Sequence, residues 1–197
     1  MSESPVRLVV GLGNPGEKYM GTRHNAGSGW LDKLAEMLHA TLNLEHKFHG
    51  LCAHIKGNGL DSWLLKPQTY MNVSGTSVAA LCHYYAIHPE QILVVHDELD
   101  LPPGSIKLKW GGGAGGHNGL KDILAHLDNQ PFWRLRIGIG HPGNKQAVVN
   151  YVLHKPEKEE AVLIDQAMNQ SMQVWPQIMS GRLAEAMLLL HTRKNNS

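Results

Sequence analysis

His24 and Asp97 are the two side chains of this sequence whose types and surroundings suit general-base chemistry. His24 stands in Thr22-Arg23-His24-Asn25, within glycine-containing sequence, and Asp97 follows the apolar run from Ile92 to Val95. An imidazole works as a base near neutral pH, and a carboxylate bonded to one of its nitrogens fixes the tautomer and favours the imidazolium that forms. The chain has 13 His, so one beside a loop is expected by chance and the pairing carries the weight. No Gly-x-Ser-x-Gly turn offers a serine nucleophile, and Cys52 and Cys82 stand without catalytic or metal-binding spacing. Water is the nucleophile to expect, activated by His24 with Asp97 as its partner. No His-Glu-x-x-His or comparable spacing encodes a metal site, and His46, His49 and His54 fall near a strand whose outer face can simply be polar.

Three amides lie on connections where a ligand could meet them. Asn14 is in Gly11-Leu12-Gly13-Asn14-Pro15-Gly16, which matches the glycine pattern of a dinucleotide-binding turn. That turn requires a helix to open at once, so that its amides face a pyrophosphate; here Pro15, Gly16 and a further polar loop delay the helix to about Ser28. The alternative is a glycine turn leaving a buried strand, in which Asn14 presents an amide to substrate. Asn72 closes Lys66-Pro67-Gln68-Thr69-Tyr70-Met71-Asn72 between a strand and a helix, where Asn serves a turn or a ligand. His117 and Asn118 follow Gly111-Gly112-Gly113-Ala114-Gly115-Gly116, whose glycines lose much entropy on ordering and point to mobility or close approach to a ligand.

Lys107 and Lys109 share one strand face by their i, i+2 spacing, as do Arg134 and Arg136. If the two faces adjoin, with Lys121 and Arg23 near, they form a phosphate-binding patch; otherwise they are solvated strand faces.

The elements that must position these residues follow from periodicity. Val6 to Leu12 reads as a buried first strand, and Leu31, Leu34, Ala35 and Leu38 predict a helix over about Ser28 to His39 with Ser28 as its N-cap. Leu51 to Ile55 and Ser62 to Lys66 flank Gly57-Asn58-Gly59 and predict a hairpin. A helix follows Ser74, a strand runs from Ile92, another spans Ile106 to Trp110, and a helix carries Leu120, Ile123, Leu124 and Leu127. Arg134 to Gly140 reads as the last strand. Helices are then expected around Val148 to Leu153, from Glu157 to about Met179, and from Leu183 to Leu190. Interleaved strands and helices predict a single α/β domain over 1–197, a twisted mixed sheet flanked by helices with a helical C-terminal segment.

Length and composition agree: 197 residues suit one core, and 42% hydrophobic with 18% charged residues exclude a disordered chain. A formal charge of +1 excludes a generally polycationic nucleic-acid coat, so any nucleic-acid contact must be local. The first ten residues lack a basic segment ahead of a long apolar one, so no leader is expected, and no apolar run is long enough to span a bilayer. Two isolated cysteines fit a reducing cytoplasm.

Several blocks in order together resemble the bacterial-type peptidyl-tRNA hydrolase family. They are Val9 to Gly16, Tyr19, Thr22 to Gly27, Thr69 to Gly75, His96 to Gly104, Gly115 to Lys121, and Arg134 to Pro142. The resemblance implies a monomeric, cytoplasmic, cofactor-independent and metal-free esterase. Its substrate would be peptidyl-tRNA, cleaved between the peptide C-terminus and the 3′ ribose, with contacts to the acceptor arm and the CCA end. By the same resemblance His24 is the general base and Asp97 its orienting partner. Asn14, Tyr19, Tyr70, Asn72, His117 and Asn118 bind substrate, His117 within a gating loop, and Lys107, Lys109 and Arg136 meet tRNA phosphates. Ala114 and Trp110 depart from the family pattern, which bears on loop mobility and substrate entry.

Overall fold

The computed structural model describes residues 4–192. The expectations for a single unit over 1–197 and for the absence of a leader both include residues 1–3, and the first also includes 193–197; these stretches lie outside the described residues. Seven strands form one sheet: β1 (Leu8–Gly11), β2 (Asn43–Glu45), β3 (Gly50–Gly57), β4 (Leu60–Pro67), β5 (Ile92–Glu98), β6 (Ile106–Trp110) and β7 (Trp133–Gly138). Their order is β2-β3-β4-β1-β5-β7-β6. β1 runs parallel to β4 and β5, and β5 parallel to β7, while β2, β3 and β6 pair antiparallel with their neighbours. The sheet is mixed, as the alternation of elements predicts.

Side-chain alternation assigns the two faces. Val9, Leu93 and Val95 face α1 (Ala26–Met37), and the same core takes in residues of the C-terminal helices α5 (Lys158–Met172), α6 (Trp175–Met179) and α7 (Leu183–Thr192). Leu8, Val10, Ile92 and Val94 face α2 (Ser74–Tyr85) and α3 (Asn118–His126). Both faces of β1 and of the first part of β5 are covered, which is why β1 and Ile92 to Val95 are continuously apolar. A short helix, α4 (Val148–Val152), follows β7.

Four local differences from the sequence expectations have physical causes. α1 begins at Ala26, with Asn25 as its N-cap residue; Ser28 sits inside the first turn and donates to the Asn25 carbonyl at 3.1 Å. The single long helix expected from Glu157 to Met179 is two helices, because Pro176 has no N–H to donate back into the preceding turn. β1 and β7 are shorter than read, since apolar runs continue past the last ladder pair. β2 was not expected at all: three residues are too few to show a period.

Candidate active site

The segment carrying His24 is a one-turn helix, Arg23–Asn25, directly ahead of α1. Two glycines let α1 lie against the sheet there. A Cβ on Gly11 would come within 2.7 Å of the Gly27 carbonyl oxygen, and one on Gly27 would overlap the Val95 carbonyl oxygen. This close approach sets His24 beside the end of β5. Its Nδ1 donates to Asp97 Oδ2 at 2.9 Å.

Asp97 is surrounded by histidines. His117 donates from Nε2 to Asp97 Oδ1 at 2.8 Å, and its Nδ1 accepts from the Gly119 and Leu120 amides at 3.1 and 3.3 Å as the N-cap of α3. Two backbone donors on Nδ1 put the His117 hydrogen on Nε2, a tautomer assigned from its hydrogen bonds. His96 donates from Nδ1 to the Asp97 main-chain carbonyl at 2.7 Å, and its Nε2 accepts from Arg134 Nε at 3.2 Å. Burial opposes ionisation of Asp97, but the His24 and His117 partners outweigh it and hold the carboxyl well below the usual range. Burial likewise depresses the His24 imidazolium, and the Asp97 charge and hydrogen bond reverse this, so His24 titrates above an ordinary histidine. His96 is pushed far down, first by burial and then by the charges of His117 and Arg134.

His24 Nδ1 is committed to Asp97, which leaves the Nε2 lone pair for chemistry. His24 lines a cleft of about 470 Å³, walled also by Asn14, Tyr19, Tyr70, Asn72 and Asn118. All the sequence-predicted substrate residues therefore meet in one cavity. Asn14 is the most tightly held: its N–H donates to Asn25 Oδ1 at 2.8 Å, its carbonyl accepts from Asn25 Nδ2 at 2.9 Å, and its Oδ1 accepts from the Met71 amide at 2.7 Å. Only the Asn14 NH₂ remains to donate. Tyr70 is 62% exposed at the cleft. Val148, Val149, Val152 and Leu153 supply an apolar wall.

The donor set His24, Asp97 and His117 also has the types and closeness of a metal site. The hydrogen bonds argue otherwise. His117 Nε2 bears a hydrogen and points at a carboxylate oxygen, so it has no lone pair to give a cation.

The glycine run has a structural cause beyond those expected. Gly111, Gly112, Gly115 and Gly116 adopt φ of +65°, +98°, +57° and +80°, which disfavour side chains. Arg134 Nη1 also fastens the carbonyls of Gly111 and Gly113, at 3.2 and 2.8 Å. His117 and Asn118 are accordingly part of the α3 start, not of a free loop. Ala114 packs against the α2/α3 side of the core, and Trp110 against Trp133 with ring centroids 5.2 Å apart.

Antiparallel pairing of β6 and β7 sets Lys107 opposite Arg136 and Lys109 opposite Arg134, so the two basic faces adjoin. Arg134 is buried, and Arg136 donates to Glu98 at 2.8 Å, which leaves Lys109 as the exposed cation of the four. Arg23 is no part of such a patch: it is buried over the Tyr151 ring and paired with Glu160 at 3.3 Å. The dinucleotide alternative loses its footing too, because two short helical turns separate the first glycine turn from α1. Asn25, His96 and Arg134 hold the site but were not singled out for it; the adjacency of Asn25 to His24 and of His96 to Asp97 is the signal the sequence offered.

A family model described as peptidyl-tRNA hydrolase matches residues 8–197. The chain is 66% identical over 194 residues to the peptidyl-tRNA hydrolase of Nitrosomonas europaea, covering 98% of this chain and 100% of that protein. It is 63% identical over 191 residues to that of Nitrosospira multiformis, covering 97% and 100%. The crystal structure of peptidyl-tRNA hydrolase from Acinetobacter baumannii is similar at a TM-score of 0.92 and 46% identity, over 95% of each chain. Fold, order of motifs and near-complete coverage agree, and the chain belongs to the peptidyl-tRNA hydrolase family.

Proposed function

We propose that His24 and Asp97 carry out the hydrolysis of peptidyl-tRNA by activating water at the ester between the peptide C-terminus and the 3′ ribose. The activity itself, peptidyl-tRNA hydrolysis, is that of the family. The observation that supports this assignment of residues is the 2.9 Å bond from His24 Nδ1 to a buried carboxylate in the wall of the cleft. Water gives a proton to His24 Nε2 as its oxygen attacks the ester carbonyl. The imidazolium, favoured by Asp97, then returns that proton to the departing 3′ oxygen of the ribose. With its Oδ1 turned to the Met71 amide, Asn14 presents its NH₂ as a donor, which suits the oxyanion that develops on the carbonyl. Tyr19, Tyr70, Asn72, His117 and Asn118 line the same cavity as contacts for the peptide and the CCA end.

Lys107, Lys109 and Arg136 serve the phosphates of the acceptor arm, a contact that reads no bases and so suits many tRNAs. No described helix is long and apolar enough to cross a membrane, and Cys52 and Cys82 are buried free thiols, in keeping with a monomer working in the reducing cytoplasm.

Replacing His24 with Ala should lower kcat for release of peptide from an N-blocked aminoacyl-tRNA by about 10²–10⁴-fold, with the fold retained as read by circular dichroism. Retention of most activity would remove His24 from the mechanism. Lys107→Ala and Arg136→Ala should raise KM for peptidyl-tRNA more than for a peptidyl ester of a single nucleotide. Equal effects on both substrates would place these side chains outside tRNA binding.

A further inference from the structure

Arg134 has a charge that the proposed chemistry does not use, in a place where a charge is costly. It is 4% exposed, and its neighbour His96 is 1% exposed. Desolvating a guanidinium is unfavourable unless its donors are engaged, and a residue that only filled space would sit there more readily if it were apolar. Its donors are engaged in two directions. Nε reaches His96 Nε2, and Nη1 reaches the carbonyls of Gly111 and Gly113. Nη2 lies 3.9 Å from Glu98.

Both directions end on Asp97. By donating to His96 Nε2, Arg134 obliges that ring to carry its hydrogen on Nδ1, and this hydrogen goes to the Asp97 main-chain carbonyl. By holding Gly111 and Gly113, it fastens the start of the segment that delivers His117, whose Nε2–H meets Asp97 Oδ1. The backbone of the acid and the imidazole on its outer oxygen are thus referred to one planar fork. We infer that Arg134 is a positioning residue for the His24–Asp97 pair, acting through His96 and through the glycine run. This rests on the assignment of His24 and Asp97 proposed above.

A planar fork with five donors has no equivalent in a lysine, so Arg134→Lys keeps the charge and loses the geometry. With peptidyl-tRNA and with a peptidyl ester of a single nucleotide alike, this variant should lose about tenfold in kcat while KM stays within roughly twofold. Placed in an Asp97→Asn background, the same substitution should cost less than roughly twofold, because the group it positions is already gone. Gly112→Ala tests the same point without removing the arginine. Its Cβ would come within 2.9 Å of both Arg134 Nη1 and Lys109 Nζ, and the φ of +98° there adds backbone strain, so the variant is assayed with the ester of a single nucleotide, which does not call on Lys109. It should show the same kcat-selective loss and the same suppression by Asp97→Asn.

Losses that simply multiply with that of Asp97→Asn, or a rise in KM for tRNA alone, would overturn the inference while leaving the His24–Asp97 pair in place. An Asp97→Asn enzyme with undiminished kcat would overturn the pair itself, and the inference with it.

Discussion

His96 is a buried neutral base next to the acid of the site, and this has a consequence for stability. Its pKa in the folded chain lies far below the ordinary histidine value, chiefly through burial. Such a residue takes up a proton in the unfolded chain before it does in the folded one. Folding stability therefore falls as pH drops below about 6.5, with a slope of up to about 1.4 kcal/mol per pH unit. His24 has the opposite sign: its raised pKa adds stability below about 6.5 that is lost as pH rises through its folded value. Below about 6.5 the His24 contribution has levelled off, because that residue is protonated in both states, so the slope on the acid side is that of His96. The stability difference between wild type and His96→Gln, measured by urea unfolding, should shrink between pH 7 and pH 5; a constant difference would mean that His96 protonates freely in the folded protein. At this scale the sequence disclosed the residues whose chemistry is intrinsic. An imidazole or carboxylate signals itself by type, as His24 and Asp97 do. Asn25, His96 and Arg134 act through partners 11, 1 and 38 residues away, and nothing in their local sequence marks the more distant contacts.

Among the elements, the join of α1 to β1 and β5 does most to bring His24 to Asp97, and Gly27 is its tightest point. Gly27→Ala should destabilise the fold by about 1–3 kcal/mol, since the added methyl must displace the β5 backbone or the helix. It should also lower kcat, because the turn carrying His24 moves with the start of α1. An unchanged unfolding midpoint and kcat would show that α1 has room there. Periodicity made most elements legible: the hairpin of β3 and β4, α2 from Ser74, β5 ending in Asp97, and α3 after the glycine run all lie where alternation or helical spacing put them. Misreadings cluster where local pattern competes with a distant constraint. Ser28 looked like a cap because hydroxyls cap helices, but the chain turns at Asn25, whose side chain is held by Asn14. Composition pointed the glycine run to mobility or close approach to a ligand; its positive φ values and the grip of Arg134 give it a defined course, and Gly115 and Gly116 line the cleft.

For the molecule as a whole, the parallel strands β4, β1, β5 and β7 form the middle of the sheet, and Asp97 lies near the carboxyl end of β5, where open α/β sheets place ligands. The basic strands β7 and β6 lie at one edge of the same sheet, with Glu98 joining the cleft to Arg136. With a formal charge of only +1, the proposed capture of tRNA phosphates rests on this local arrangement. The sheet thus carries Asp97 on β5 and the proposed phosphate contacts on β7 and β6 beside it, with His24 brought up from the turn ahead of α1. The most direct check is the pH dependence of kcat/KM for wild type beside Asp97→Asn. The Asp97 charge raises the His24 pKa, so its loss should move the acid limb to lower pH and drop the plateau by about 10²-fold or more. An acid limb that stays in place, with the plateau undiminished, would contradict the pairing on which water activation depends.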